Sequence, residues 1–119
     1  MSISRKAANR RGAMAEAMAA FWLRLLGYRI AARRYAANGG EIDIVARRGR
    51  TVAFIEVKYR AEAADAAEAI TETKRRRING AARAWIAAHP DDASRDCRFD
   101  AILMRPWRLP MILRDAWRE

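Results

Sequence analysis

The chain has 119 residues, the usual length of one domain, and 52% of them are hydrophobic while 32% are charged. This balance excludes a disordered or collagen-like chain, and no run of eighteen apolar residues provides a membrane-spanning helix. The net charge of +10, from 24 Lys and Arg against 14 Asp and Glu, predicts a polyanionic partner, most often nucleic acid. Alternatively, the 21 Arg and 27 Ala residues reflect only a GC-rich genome.

The N-terminus predicts an arm followed by a helix. Residues 1–10 are basic and suggest a flexible arm in front of a single domain at residues 11–119. Apolar residues at three- and four-residue steps predict an amphipathic helix over Arg11–Leu26, and Gly27 ends it. The expected buried stripe of this helix consists of Met14, Met18, Phe21, Trp22 and Leu25.

Three strands are predicted next. Tyr28–Tyr35 is the first, and Asn38-Gly39-Gly40 after it is a turn signal. Glu41–Arg47 and Thr51–Tyr59 are β-branched and apolar, and Arg48-Gly49-Arg50 separates them, so they predict a hairpin.

The second half predicts one helix and further strands. Ala61–Ile70 is rich in Ala and acids and fits either a mobile loop or a short helix. Thr71 is the expected N-cap of a helix that runs to about Ala88 and ends at His89-Pro90. A polar loop, an apolar strand and a short edge strand then follow at Asp91–Asp96, Cys97–Met104 and Pro110–Arg114.

The order of elements is therefore αβββαβ, with one or two strands after the second helix. Two strands joined through a helix usually run parallel. We predict an α/β fold with a mixed β-sheet, an antiparallel meander followed by a parallel strand, flanked by helices.

Charged side chains interrupt both strands of the predicted hairpin. Glu56 and Lys58 share one face of their strand, and such charges are costly inside apolar runs unless they are paired or bind metal. If the turn is Arg48-Gly49, Asp43 lies opposite Phe54 and diagonal to Glu56, with Cβ atoms up to ~7–8 Å apart. A one-residue slip would separate the two acids onto opposite faces.

Two carboxylates beside a lysine suit metal-assisted hydrolysis of a phosphodiester bond. Carboxylate oxygens hold Mg²⁺ or Mn²⁺, which polarises the phosphoryl oxygen and lowers the pKa of the attacking water. Lysine can orient that water or neutralise the developing charge. The structural alternative is that Glu56 and Lys58 form a surface ion pair while Asp43 prevents edge-to-edge aggregation.

The block Gly40-Glu41-Ile42-Asp43-Ile44-Val45-Ala46, with Phe54-Ile55-Glu56-Val57-Lys58 and Arg60 after it, resembles the YraN-like family of small bacterial predicted endonucleases. That family is related to the Holliday junction resolvase-like and restriction endonuclease-like folds. The resemblance covers roughly residues 11–117 and implies a restriction endonuclease-like core.

By this resemblance, Asp43 and Glu56 match the metal-binding acids of the PD-(D/E)xK motif, and Lys58 matches its lysine. Glu16 matches the acid that the first helix often contributes. The implied catalytic set is Asp43, Glu56, Lys58 and Glu16, and the three acids are the implied ligands of Mg²⁺ or Mn²⁺. Arg34 stands where the family often has Asn, so we expect no site role for it.

Basic residues outside the motif are the expected nucleic-acid contacts. Lys74-Arg75-Arg76-Arg77 forms a full helical turn, which is either a phosphate-binding surface or a solvated helix face. Each phosphate contact would add to the salt dependence of binding. The expected set is Lys74, Arg75, Arg76, Arg77, Arg60, Arg10 and Arg11. Trp107, between Pro106 and Arg108, is the tryptophan that we expect to be exposed.

Three hypotheses follow. The first is a metal-dependent endonuclease that hydrolyses DNA, including branched or damaged DNA. The second is a nucleic-acid-binding domain on a nuclease-like scaffold without turnover, and the third is a protein-interaction domain. Retention of Asp43, Glu56 and Lys58 favours the first. Resolvase-like enzymes often cut two strands symmetrically, so a homodimer is an alternative to a monomer. The lone Cys97 and the lack of a secretory signal predict a cytoplasmic location.

Overall fold

The computed structural model describes residues 2–60 and 70–118, and of the side chains those of residues 12–60 and 70–118. The segment predicted as a loop or short helix therefore lies, except for Ile70, outside the described residues. The elements in chain order are α1 (Ser2–Leu25), β1 (Arg29–Ala37), β2 (Gly40–Arg48), β3 (Thr51–Tyr59), α2 (Glu72–Ala88), α3 (Pro90–Ala93), β4 (Asp96–Met104) and β5 (Met111–Trp117).

A five-stranded sheet in the order β1-β2-β3-β4-β5 forms the centre of the fold. Strands β3 and β4 are parallel and are connected through α2, whereas the other neighbouring strands are antiparallel. Phe54 packs with residues of α2 on one face, and Ile55 packs with residues of α1 on the other. The predicted mixed α/β fold with its αβββαβ order and flanking helices is confirmed.

Helix α1 begins at Ser2 and not at Arg11, so the backbone of the predicted flexible arm is helical. The reason lies in its composition, because residues 2–11 contain neither Gly nor Pro and are rich in Ala, Arg and Lys, which favour helix. None of the helices in the described part of the chain has both the length and the apolar character needed to cross a membrane.

The face of α1 that packs against the sheet differs from the predicted one. Ala15, Ala19 and Leu23 are buried there, because small side chains allow the helix to approach the sheet closely. The exposed fractions of the residues predicted to be buried are large, at 64% for Met14, 53% for Met18, 61% for Phe21 and 63% for Leu25. Four of the five residues of the predicted buried stripe are therefore exposed, whereas Trp22 is half-buried, and the four form an apolar stripe on the described surface.

Both ends of α2 were predicted correctly, but the segment after it was not. The Thr71 hydroxyl accepts a hydrogen bond from the Lys74 amide at 3.2 Å, and the helix ends at Ala88. The first part of the predicted polar loop is instead the short helix α3, because Pro90 suits the first turn of a helix. This turn carries Asp92 into the interior, where its side chain is wholly buried.

Candidate active site

The hairpin of β2 and β3 sets the register on which the candidate site depends. Arg48 pairs with Thr51 and Ile44 with Ile55, so the two-residue loop is Gly49-Arg50 and not the expected Arg48-Gly49. Gly49 has a φ of 59°, and a positive φ at the first loop position matches the twist of the strands. The predicted register was therefore wrong by two positions, an even shift that by itself moves no side chain to the other face of the sheet.

Asp43 occupies a local irregularity at the start of β2. Pairing with β1 passes from Ile44 directly to Ile42, and pairing with β3 ends at Ile44. Ile42 packs on the α2 side of the sheet and Ile44 on the α1 side, although residues two apart in a strand normally share a face. Since the ladder stops here, Oδ2 of Asp43 accepts a hydrogen bond from the main-chain N–H of Val57 at 2.8 Å.

The carboxyl group of Asp43 lies beside Glu56, and their interaction changes its protonation. Burial, repulsion from Glu56 and a side-chain hydrogen bond with Glu56 raise the pKa of Asp43 from 3.8 to about 7, although the Val57 N–H opposes this change. Glu16 adds a smaller repulsion. Burial thus makes the ionised form of Asp43 costly, Glu56 adds to that cost, and a nearby cation would stabilise the ionised form.

Glu56 is buried and is held by two lysines. Oε1 of Glu56 lies 3.1 Å from Nζ of Lys58 and 2.6 Å from Nζ of Lys74. The side chain of Lys58 is 13% exposed and that of Lys74 is 40% exposed, so Lys74 lies on the solvent side. Burial and the hydrogen bond with Lys74 lower the pKa of Lys58 below its usual value.

Glu16 reaches the same region from α1, on the opposite face of the sheet. Its side chain is buried, and its two carboxylate oxygens bind Nε of Arg33 at 3.0 Å and Nε of Arg34 at 3.2 Å. Arg34, which we expected to have no site role, therefore holds one of the predicted site acids. To bind a cation, Glu16 would have to release one of these arginines or contact the ion through a water molecule. Its place among the metal ligands stays a prediction.

The donor set at Asp43 and Glu56 fits a hard divalent cation. Their oxygens are the ligands that Mg²⁺ and Mn²⁺ prefer. A cation there would offset the cost of ionising Asp43, whose pKa is raised by burial and by Glu56. In the part of the chain that the structure describes, no three His, Cys, Asp or Glu side chains form a ready-made metal site. Asp43 and Glu56 would therefore supply two protein ligands, with water and substrate oxygens completing the coordination.

The predicted nucleic-acid contacts fall into different environments. Lys74 belongs to the cluster around Glu56, and Arg76 is exposed and pairs with Glu72 at 2.8 Å. Nε of Arg75 is buried and has no hydrogen-bond partner among the described residues. Arg77 is exposed, Arg60 is half-buried, and the side chains of Arg10 and Arg11 lie outside the described residues.

Two features of the site were missed by sequence reasoning. Lys74 was assigned to phosphate contact alone, yet it binds Glu56 at a distance of 18 positions along the chain. Gly40, at the start of the motif block, lies so close to α2 that an added Cβ would overlap the backbone carbonyl of Arg77. The sequence indicated only a turn at Gly40. Its close contact with α2 could not be predicted, because that contact depends on where α2 packs.

These features define a mixed α/β domain with a half-buried cluster of acids and lysines at the point where two central strands separate. Residues 15–104 match the profile of the uncharacterised protein family UPF0102, and the chain belongs to this family. The YraN-like family resemblance is thereby confirmed at the level of family membership.

Similar proteins occur in several bacteria. The UPF0102 protein of Paramagnetospirillum magneticum is 50% identical over 121 residues, which covers 98% of this chain and 94% of that protein. The UPF0102 protein of Methylorubrum extorquens is 51% identical, over 95% of this chain and 88% of its own length. That of Bradyrhizobium diazoefficiens is 52% identical, over 92% and 82%.

Proposed function

We propose that the protein is a metal-dependent endonuclease that hydrolyses phosphodiester bonds of DNA. The observation that carries this proposal is the meeting of Asp43, Glu56 and Lys58 in one cluster, with the pKa of Asp43 raised to about 7. Two adjacent carboxylates fit Mg²⁺ or Mn²⁺, which when bound would polarise the phosphoryl oxygen and acidify the attacking water. Branched or damaged DNA is the substrate class that we favour, through the resemblance to resolvase-like enzymes.

The side chains of the cluster have distinct tasks in this proposal. Asp43 and Glu56 hold the ion, and the Val57 N–H fixes the orientation of the Asp43 carboxylate. The Nζ group of Lys58 orients the attacking water or neutralises charge on the phosphoryl oxygens in the transition state. The attacking water forms the new P–O bond and releases a proton to solvent. The bond from phosphorus to the leaving sugar oxygen breaks, and that oxygen takes up a proton from solvent.

The basic residues around the cluster support a polyanionic substrate. Lys74 lies on the exposed side of Glu56, where it would meet a phosphate before Lys58 does. The exposed side chains of Arg76 and Arg77 continue this positive surface along α2. Each such contact would release counterions, and binding would therefore weaken steeply as salt is added.

A second candidate function is a nucleic-acid-binding domain without turnover. One observation favours it: Lys58 and Lys74 bind Glu56, and arginines bind Glu16, so the cluster is held together without a metal. This hypothesis predicts binding that is indifferent to metal and to the charge of Asp43. Homodimerisation also stays a prediction, and sedimentation of the purified protein tests it.

The deciding experiment measures binding and cleavage together. Wild type, Asp43→Asn and Lys58→Ala are titrated with Mg²⁺ and Mn²⁺ on labelled four-way-junction, flap and linear DNA. Asp43→Asn is the sharpest variant because an amide oxygen still accepts the Val57 hydrogen bond while the charge is lost. Metal-dependent cleavage by wild type alone supports the nuclease, whereas equal binding without cleavage in all three proteins supports the scaffold.

A further inference from the structure

The loop between β4 and β5 exposes a large aromatic side chain completely. Trp107 has a relative exposure of 103%, whereas Trp85 and Trp117 are buried in the core. An indole usually stabilises a small domain by burying its apolar surface. The exposed ring of Trp107 buries almost none, so it does not stabilise the fold in this way. Among the described residues, none covers the ring, which leaves its faces open to a binding partner.

The backbone of this loop also disfavours tryptophan. The Arg108 N–H donates to the Arg105 carbonyl at 3.4 Å, which makes Arg105–Arg108 a β-turn with Pro106 in its second position. Trp107 takes the third position with a φ of 60°, where Gly or Asn is the usual residue. A bulky residue with positive φ is strained, so neither the turn nor the core accounts for tryptophan here.

The loop lies at the same end of the sheet as the candidate active site. Strands β3 and β4 are parallel, and Lys58 pairs with Leu103 one position before β4 ends at Met104. The Arg60 N–H donates to the Met104 carbonyl at 3.0 Å, which joins the end of β3 to the start of the loop. Glu56 lies opposite Ala101, about 10 Å from Met104 at ~3.3 Å per strand residue.

The charged residues of the loop itself are all positive. Arg105 and Arg108 flank the ring, Arg60 lies at the neighbouring strand end, and residues 101–114 contain no acid. Aromatic rings beside arginines are the usual platform for single-stranded nucleic acid, because bases stack on the ring while the guanidinium groups contact phosphates. A protein partner with an apolar pocket would not need this basic surround.

We propose that Trp107 stacks on an unpaired base of a DNA strand that enters the candidate active site, with Arg105 and Arg108 contacting the adjacent phosphates. The inference rests on the proposed function and narrows its substrate class to DNA with unpaired bases, as in bulges, branches and single-stranded ends. Fully paired duplex offers no exposed base face to the ring and is bound through its phosphates alone.

The test measures equilibrium binding in EDTA, so that no cleavage occurs, by anisotropy of a labelled single strand, its duplex, and the same duplex with a bulge. The proteins are wild type, Trp107→Gly, Trp107→Phe, and Leu109→Ser as a control that removes a neighbouring exposed apolar residue. Trp107→Gly is expected to weaken binding of the single strand and bulge by roughly 5- to 150-fold. Duplex binding stays unchanged, Trp107→Phe retains most of the affinity, and Leu109→Ser behaves as wild type.

Two results would overturn the inference. One is an equal loss of affinity on all three probes in Trp107→Gly, which would mean that the ring does not select unpaired bases, or no loss on any probe, which would mean that the ring does not bind DNA. The other is a lower melting temperature for Trp107→Gly, because glycine suits a φ of 60° and a purely ligand-binding tryptophan contributes nothing to folding.

Failure of this inference is distinguishable from failure of the proposed nuclease activity. Base-selective binding that depends on Trp107, without cleavage in Mg²⁺ or Mn²⁺, leaves the inference standing and removes the nuclease. Suppose instead that wild type cleaves DNA, that Asp43→Asn does not, and that Trp107→Gly cleaves as fast and binds as tightly as wild type. The nuclease proposal then stands and the stacking of Trp107 is removed.

Discussion

The carboxylate of Asp43 takes the place of a missing strand partner for Val57, whose main-chain N–H it accepts at 2.8 Å. Regular pairing of β2 with β3 ends at Ile44 and Ile55. The Asp43 side chain therefore accepts the hydrogen bond that a backbone carbonyl of β2 would otherwise have accepted. This hydrogen bond fixes the carboxylate next to Glu56, where burial and then repulsion from Glu56 raise the pKa of Asp43. The local break in the sheet is therefore what makes the site electrostatically unusual.

The raised pKa of Asp43 predicts a stability that depends on pH. The folded protein binds this proton more tightly than the unfolded chain, so the contribution is full below pH 3.8 and is lost as pH rises to about 7. Asp43→Asn should therefore raise the free energy of unfolding at about pH 8 by about 1–3 kcal/mol. At acid pH, where both side chains are neutral, we expect little difference.

Urea unfolding of both proteins without metal, at acid and at mildly alkaline pH, measures this effect. Glu72→Gln is the control, because it neutralises an exposed acid outside the cluster. A variant that is less stable than wild type at alkaline pH would contradict the prediction, since the lost charge would then have been a favourable one.

Divalent metal is expected to reverse the electrostatic cost at Asp43. An ion that binds only the folded state raises the free energy of unfolding by about 2.7 kcal/mol at 100 times its Kd. Mg²⁺ or Mn²⁺ should thus raise the melting temperature of wild type at neutral pH, and the effect should fade at acid pH as protons compete for Asp43. We expect no such shift in Asp43→Asn, and an equal shift in both proteins would place the ion elsewhere.

The position of Glu56 beside Lys58 could be predicted from sequence because it depends on local rules. Alternation along a strand placed Glu56 and Lys58 on one face, and an error of two positions in the loop did not alter that face. The turn at Asn38-Gly39 was equally local, since both residues have positive φ, which this pair of residues accommodates well.

The packing of α1 could not be predicted in the same way. Apolar periodicity marked the side with Met14, Met18 and Phe21, but the sheet instead packs against alanines on another side. Large side chains hold a helix away from a sheet, while a row of Ala allows close approach and brings Glu16 inward. The choice between the two sides depends on the tertiary contact, and a one-dimensional pattern does not contain it.

Lys58 and Lys74 share one oxygen of Glu56, and their different exposure predicts different kinetic defects. Lys58 lies deeper, so Lys58→Met should lower kcat by about 10²–10³-fold through the loss of transition-state stabilisation. Lys74 lies towards solvent, so Lys74→Met should raise KM more than it lowers kcat. Steady-state cleavage of a labelled DNA substrate separates the two.

The matched control for these lysines is Arg83→Met, which removes an exposed cation further along the same helix. We expect Arg83→Met to change both constants only slightly. Identical kcat and KM values for Lys58→Met and Lys74→Met would show that the two lysines act as one unit, against the division of tasks.

Asp92 is expected to be the acid on which folding depends most strongly. Its side chain is wholly buried and accepts hydrogen bonds from Arg47 at 2.7 and 2.8 Å and from the Trp85 indole at 2.8 Å. The hydrogen bond from Arg47 lowers the pKa of Asp92, so its stabilising effect is present at neutral pH and is lost as pH falls below 3.8. Asp92→Ala leaves the Arg47 guanidinium without its partner and should cost about 3–5 kcal/mol of unfolding free energy.

Asp91→Ala is the matched control for Asp92, because the neighbouring aspartate is exposed on the same short helix. Its substitution should change the free energy of unfolding by less than about 0.5 kcal/mol. Urea denaturation at neutral pH compares the two variants with wild type, and DNA cleavage per folded molecule should be unchanged in both. Equal free energies of unfolding for Asp92→Ala and Asp91→Ala would contradict the prediction, because the buried hydrogen bonds of Asp92 would then contribute nothing to stability.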